Sequence, residues 1–377
     1  MEPVVLQIVP ELETGGVETG VIEMARAMQE KGIKNFVASK GGRMVHELEK
    51  LKVPHFTLDL KTKNPFKLCR NAKVLEKIIK DYGINIVHAR SRAPAWSAYW
   101  AAKNAGVHFM TTFHGTYGLG LWGIKKFYNR VMTYGEKVII ISNHIRRHVI
   151  ENYKVNPDKL RLIFRCADIE KFSPDKVSPE RMIAKIKEYN VADDKPVILL
   201  PGRITHWKGA HILIEALSLM KNQNFYCIIT GDAQNRTAYL ESLRELAKKL
   251  GLQDRIGFYG RYNDAPALLM ISTIVLNTSI EPEAFGRTTV EGLAMGKITI
   301  ASNIGGSLDI IDDGVNGKLY QYDNPQELAE ALDWALNLSA PEKAKISKAA
   351  IKKVRDNFTK QIMCDKTLDV YHELIKN

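Results

Sequence analysis

The sequence has little of what a secreted, membrane-spanning or metal-dependent protein carries. Its four cysteines, Cys69, Cys166, Cys227 and Cys364, lie far apart and have no metal-ligand spacing. That argues against a disulfide scaffold or a structural zinc site and fits a reducing compartment. No apolar run approaches the ~20 residues that cross a bilayer. The N-terminus, with acidic Glu2 and then the strand-like Val4 to Val9, does not have the pattern of a signal peptide. The expectation is a soluble, cytoplasmic protein, working free or at the cytoplasmic face of the inner membrane. No Asp-x-Asp stands at a strand end to hold Mg²⁺, so neither a catalytic metal nor a cofactor is expected. The first glycine loop, at Gly15-Gly16, lacks both the Lys-Ser/Thr of a P-loop and the third spaced glycine of a dinucleotide fingerprint.

What is present is ordinary globular material with an uneven charge. At 377 residues, 45% hydrophobic and 25% charged, the chain can build two domains with a core each. The net charge is +12, and residues 1–165 hold 27 Lys+Arg against 14 Asp+Glu while the remainder holds 27 against 28. All of the excess belongs to the first half. Such a bias suits an anionic small substrate, an anionic membrane or nucleic acid, but no nucleic-acid recognition motif accompanies it.

The chain is organised around Glu281-Pro-Glu-Ala-Phe-Gly-Arg-Thr-Thr-Val-Glu-Gly-Leu-Ala-Met-Gly296. Apolar, β-branched segments at Ile271 to Asn277 and Lys297 to Ala301 flank it and are predicted as buried strands. The stretch is then a loop at a strand's carboxyl end entering a helix near Gly286. There ligands bind in an open parallel sheet, and free helix N–H groups favour an anion. Glu283 falls in the loop, Arg287 and Thr288 open the helix, and Glu291 lies about one and a half turns inside it, among residues too apolar for a routine solvated charge. Glu281 is assigned to the acidic first turn that a helix dipole favours.

Glu283, Phe285-Gly286 and Glu291, two glutamates separated by seven residues and followed by Gly-Leu-Ala-Met-Gly, resemble the signature of retaining GT-B glycosyltransferases of family 4. The resemblance covers nearly all of the chain. After the apolar Val4 to Pro10, Gly15-Gly16 resembles the family's first glycine loop. His114, following Phe109 to Phe113, matches a histidine that contacts the donor sugar. Gly202-Arg203 and Lys208-Gly209 match the cations that clamp a nucleoside diphosphate, and Gly231-Asp232 is a further family feature. The interdomain crossing is only partly matched: Asp168, Phe172 and Pro174 hold the pattern, while Arg165-Cys166-Ala167 replaces its usual start.

Between these motifs strand and helix candidates alternate: Asn35 to Ala38, a helix from Arg43 to Leu51, Phe56 to Leu58, a helix from Pro65 to Lys80, and Ile84 to Val87. Alternation predicts a parallel sheet with helices on both faces. Lys61, Lys63, Lys67, Arg70, Lys73, Lys77 and Lys80 surround Phe66, Leu68, Leu75, Ile78 and Ile79. Leu119, Leu121, Trp122, Ile124, Phe127 and Tyr128 are interleaved with Lys125, Lys126 and Arg130. Both patterns fit contact with an anionic membrane and equally fit surface helices with solvated lysines.

The resemblance implies an α/β, GT-B fold: two Rossmann-like domains facing across a cleft. Residues 1–170, with a last helix at 358–377 crossing back, would bind the acceptor, and residues 171–357 the nucleotide-sugar donor. It implies metal-independent sugar transfer, with retention, to a hydroxyl of a cell-envelope glycan or lipid-linked acceptor such as a lipopolysaccharide core. Glu291 would hold the ribose, Arg203 and Lys208 the diphosphate, and Glu283 with the Phe285-Gly286 backbone the sugar. Gly16 and His114 would act from the other domain. A nucleotide-sugar epimerase or a non-catalytic nucleotide-sugar-binding protein remains the alternative.

Overall fold

The computed structural model describes all residues except Thr14, 119–123, Asp193, Asn235 and Asn377. Leu119, Leu121 and Trp122 of the basic and aromatic stretch thus lie outside the described residues. The chain divides into two compact units, Met1–Phe164 with Gln361–Asn377, and Arg165–Lys360.

The first unit is built on seven strands: β1 (Val5–Ile8), β2 (Asn35–Ser39), β3 (His55–Thr57), β4 (Ile86–Ala89), β5 (His108–Phe113), β6 (Lys137–Ile140) and β7 (Leu160–Leu162). They pair in the order β3-β2-β1-β4-β5-β6-β7, every pair parallel. β1, β4 and the inner part of β5 are buried, as near-continuous apolar strands covered on both faces should be. The order reverses between β1 and β4, where Ile8 lies beside Ala89.

The last helix, Lys360–Lys376, packs on this sheet. Tyr371 is fully buried, its hydroxyl 2.8 Å from His88 Nδ1, while His88 Nε2 is 2.7 Å from Thr112 Oγ1. Lys137 and Arg161, on β6 and β7, both reach Glu373. Helix Gly16–Glu30 buries Val21, Met24, Ala25 and Met28, and helices Pro65–Asp81 and Arg92–Ala105 pack on one another.

The second unit repeats the plan with β8 (Val197–Pro201), β9 (Tyr226–Thr230), β10 (Ile256–Tyr259), β11 (Ile274–Asn277), β12 (Ile298–Ser302) and β13 (Lys318–Tyr320), ordered β10-β9-β8-β11-β12-β13 and parallel throughout. Leu200, Leu213, Leu217, Phe225, Ile229, Leu328 and Leu332 belong to one core between this sheet and its helices. Both units are thus doubly wound α/β domains of Rossmann type, as the alternation predicts.

Local differences from the sequence expectation have local causes. Ile271 ends a helix, Ala265–Ile271, and is not strand, because Asp264 caps the segment and Pro266 sits in its first turn. The second helix begins at Val45, not Arg43. Among the described residues no helix is long and apolar enough to cross a membrane.

Candidate functional site

The strand order of the second unit reverses between β8 and β11, and the loops leaving these two neighbouring strands carry the chemistry. The β8 loop runs through Gly202, Arg203, Trp207 and Lys208 into helix Ala210–Leu219. The β11 loop runs through Ser279 and Glu283 into helix Arg287–Ala294, whose N-cap is Gly286. One glycine lets these two loops meet, and another lets the end of β9 approach the β8 loop. Gly209 has φ +70° and an added Cβ would lie 1.9 Å from the Thr278 carbonyl oxygen; Gly231 has φ +153° and its Cβ would lie 1.7 Å from Gly202 O. No other residue fits those backbones without moving them. Hydrogen bonds then hold the loops together, Ile280 N to Trp207 O at 2.9 Å and Thr278 Oγ1 to Lys208 O at 2.8 Å.

Lys208 and Glu283 form the centre, Nζ to Oε1 2.6 Å with side chains only 16% and 14% exposed. Burial by itself would push the Glu283 carboxyl up. The Lys208 charge and hydrogen bonds from Lys208, Ser279 and Asn277 outweigh it and hold the group below its ordinary range. The Ser279 hydroxyl lies 2.7 Å from Glu283 Oε1 and 2.8 Å from Asn277 Oδ1. A carboxylate so held is a fixed acceptor for hydroxyl donors and a poor proton source.

Arg203 is exposed at the mouth. Its guanidinium lies 5.4 Å from the Trp207 ring centre, and Lys208 Nζ lies 4.5 Å from the same ring. Arg203, Lys208, Asn277, Thr278 and Thr288 line one pocket. Two cations, polar strand ends and a helix N-terminus can take a diphosphate.

One turn inside its helix, Glu291 is buried, 3.1 Å from Arg287 Nη2. Desolvation raises its pKa against the opposing effects of Arg287 and Lys171. Tyr262 is pushed up to about 12, by burial first and then by the Glu291 charge.

The sequence-predicted residues are therefore placed as follows. Arg203, Lys208, Glu283, Arg287, Thr288 and Glu291 gather on the two loops and the helix they enter. Gly231 is packed against Gly202. Phe285 buries its ring against Phe358, centroids 5.7 Å apart. Glu281 is a correction: it is exposed and stands six positions before the helix, outside any first turn, because the chain needs that length to cross from β11 to Gly286.

In the first unit Gly16 opens helix Gly16–Glu30 after β1, and Gly15 accepts from Thr19 N at 3.0 Å and Thr19 Oγ1 at 2.8 Å. Gly15 has φ 165°, an extended conformation open to any residue. His114 follows β5 at the same sheet edge, half-buried, with β4 between its strand and β1.

Sequence reasoning missed Asn277, Ser279, Trp207 and Tyr262. A signal existed for the first two, a polar Asn-Thr-Ser run ending an apolar strand. Among the described residues no three His, Cys, Asp or Glu side chains converge as metal ligands.

Comparison with known proteins places this arrangement. The glycosyl transferases group 1 model matches residues 182–353, and the Glycosyltransferase Family 4 model matches residues 14–171. The crystal structure of a glycosyltransferase from Rickettsia africae ESF-5 superposes with a TM-score of 0.93 at 40% identity, covering 100% of this chain and 99% of that one. HepE of Anabaena, in complex with UDP, superposes with a TM-score of 0.86 at 23% identity over 98% of this chain and 100% of that one, a likeness of fold. An uncharacterised glycosyltransferase of Methanocaldococcus jannaschii is 30% identical over 203 residues, 53% of this chain and 51% of that protein. The chain spans 51–65% of the length of the first curated relatives it matches. With both halves matched by family models and a near full-length structural relative at 40% identity, the chain belongs to the group 1, family 4 glycosyltransferases and shares their GT-B fold.

Proposed function

We propose that the chain moves a sugar from a nucleoside-diphosphate sugar to a hydroxyl of a cell-envelope glycan or lipid-linked acceptor, with retention and without a metal. The observation that carries this is the convergence of Arg203, Lys208 and Glu283 at the β8/β11 reversal. Arg203 and Lys208 take the diphosphate, and with the helix N-termini they stabilise charge as it develops on the leaving group. Glu291 accepts from ribose hydroxyls. Glu283, held ionised by Lys208 and Ser279, accepts from hydroxyls of the sugar together with the 285–286 backbone. His114 and Gly16 serve the sugar and acceptor part of the reaction.

Since Glu283 is locked in an ion pair, it is a sugar ligand, not a nucleophile. The acceptor oxygen attacks the anomeric carbon from the face the diphosphate leaves. The anomeric C–O bond to the phosphate breaks as the new one forms, and the acceptor proton passes to a β-phosphate oxygen. Structures of HepE with UDP-glucose support the donor class. WaaG, whose structure is described as that of a glycosyltransferase involved in lipopolysaccharide biosynthesis, has the same fold at 16% identity and supports the acceptor class.

The test is calorimetry and thermal shift with UDP-, GDP- and ADP-sugars in the absence of metal, repeated on Glu291→Ala. One nucleotide should bind, and the variant should lose it. Failure of every donor would overturn the donor site; binding without transfer to any acceptor would leave a nucleotide-sugar-binding protein.

A further inference from the structure

The short turn His206–Lys208, in the β8 loop, is fixed twice. The His206 ring stacks on that of His211, centres 4.5 Å and planes 22° apart, and lies 5.8 Å from the Tyr239 ring, whose hydroxyl is 3.0 Å from His211 Nδ1. These contacts tie the turn to helices Ala210–Leu219 and Thr237–Lys249. The Trp207 carbonyl accepts from Ile280 N, which ties the same turn to the β11 loop. With its neighbour and its own backbone so engaged, Trp207 has a half-buried ring held in one place beside the cations.

The Arg203 guanidinium lies over this ring at 5.4 Å and Lys208 Nζ at 4.5 Å, so the two charges are no more than about 10 Å apart, close enough to repel. Lys208 has Glu283 to hold it. Arg203 is exposed and, among the described residues, makes no ion pair. An aliphatic side chain at 207 would offer it nothing to offset the repulsion and the loss of rotamer freedom. An indole face does, because its quadrupole draws in a cation. A guanidinium stacked on a ring also keeps the planar fork of donors with which it meets phosphate oxygens. A carboxylate could anchor Arg203 as well, but would neutralise the charge that a diphosphate needs. The ring anchors without neutralising.

We propose that Trp207 is a positioning residue of the diphosphate site: its ring holds Arg203 beside Lys208 with the full charge of the arginine available to the donor diphosphate. The inference rests on the reading of these two cations as diphosphate ligands, and adds to them a residue that acts through Arg203 and not by touching the substrate.

Titration calorimetry of the full chain with UDP, GDP and ADP tests it, the variants being measured with whichever nucleotide binds the parent. Trp207→Leu should weaken that nucleotide ~10-fold and Trp207→Phe no more than ~3-fold, with the thermal unfolding of both variants unchanged in nucleotide-free buffer. Adding Trp207→Leu to Arg203→Ala should cost little beyond Arg203→Ala alone, since the ring acts through the arginine. Fluorinated tryptophans, which drain the ring's quadrupole with little change of shape, should weaken the nucleotide stepwise with each added fluorine. The same series in Trp207→Phe should have no effect, which controls for the other tryptophans. Equal affinity of Trp207→Leu and the parent, equal losses in the leucine and phenylalanine variants, or an affinity indifferent to fluorination would overturn the proposal. The fluorine series on the unaltered sequence keeps it testable if a variant misfolds. Failure of all three nucleotides to bind the parent would instead overturn the donor reading, and this inference with it.

Discussion

The two sheets share one strand order up to their sixth strands, 3-2-1-4-5-6 in each unit's own count, yet they spend their charge differently. The second unit is almost balanced, but its cations Arg203 and Lys208 are placed at the order reversal, one of them fixed on a buried carboxylate. At the equivalent reversal of the first unit stands Arg90, itself buried, with Nη1 3.1 Å from Gln7 Oε1 and Nη2 3.3 Å from Gly20 O. There the cation is engaged in holding β4 to β1 and the first helix. Other cations of that unit, among them Arg70, Lys73 and Lys77 on helix Pro65–Asp81, are exposed. The same reversal thus occurs twice in the fold, and the side chains differ: a lysine on a buried carboxylate at one, a buried arginine bonded to β1 and the first helix at the other.

Substitutions can break this contrast, beginning with the largest effect. Lys208→Ala should lower donor turnover by ~10²–10³-fold, as removal of a group aimed at developing charge does, with the thermal unfolding of the first unit unaffected. Turnover within a few-fold of the parent would remove Lys208 from the diphosphate site.

Gly209→Ala attacks the backbone approach. With the Thr278 carbonyl only 1.9 Å from the new Cβ and φ at +70°, it should cost about 2–3 kcal/mol and weaken nucleotide binding as the loops part. A variant as stable as the parent, with intact binding, would show that the loops meet by some other accommodation.

The counterpart in the first unit is Tyr371→Phe. It removes the hydroxyl bonded to His88 and should destabilise by about 1–2 kcal/mol in chemical denaturation while leaving donor affinity unchanged. A loss of donor affinity instead would contradict the structural role of that joint.

The smallest effect concerns Glu373 and is read as pH dependence. Hydrogen bonds from Arg161 and then Lys137 hold this carboxyl at about 2, below its ordinary 4.5. A carboxyl depressed in the folded state contributes stability above the unfolded value that is lost as pH falls through the folded one. Unfolding of the first unit should therefore steepen between pH 4.5 and about 2, and Glu373→Gln should flatten that limb. Because the group is about one third exposed, the change is modest. Identical acid profiles would remove the pair from the stability of the unit.

How much of this was legible in the chain depends on how far apart the cooperating residues stand. Arg203 and Lys208 are separated by five positions on one loop, so glycines and flanking apolar runs are enough to place them at a strand end. Glu291 was legible from its apolar neighbours. The aromatic and basic helix was legible as a pattern, but not its exposure: Leu68 and Leu75 turn inward and Phe66 outward only because helix Arg92–Ala105 covers one side. Trp207, lying between two motif cations, has the composition of any core aromatic until its ring is seen beside both charges. Glu281 was assigned wrongly because a carboxylate near a helix start and one within its first turn look alike without the loop length.

By itself, then, the sequence determined the alternation of strand, loop and helix, the chemical types present at strand ends, and the uneven charge. These follow from local periodicity and from interactions within a few residues of chain. Tertiary structure alone decided that Lys208 meets Glu283, 75 positions away, that Asn277 and Ser279 join them, and that Tyr371 closes onto His88. Those meetings require β11 to pair beside β8, and the last helix to return to the first sheet. Non-local pairing of this kind is set by the burial of whole apolar faces and leaves no mark in the sequence near any one of the residues it unites.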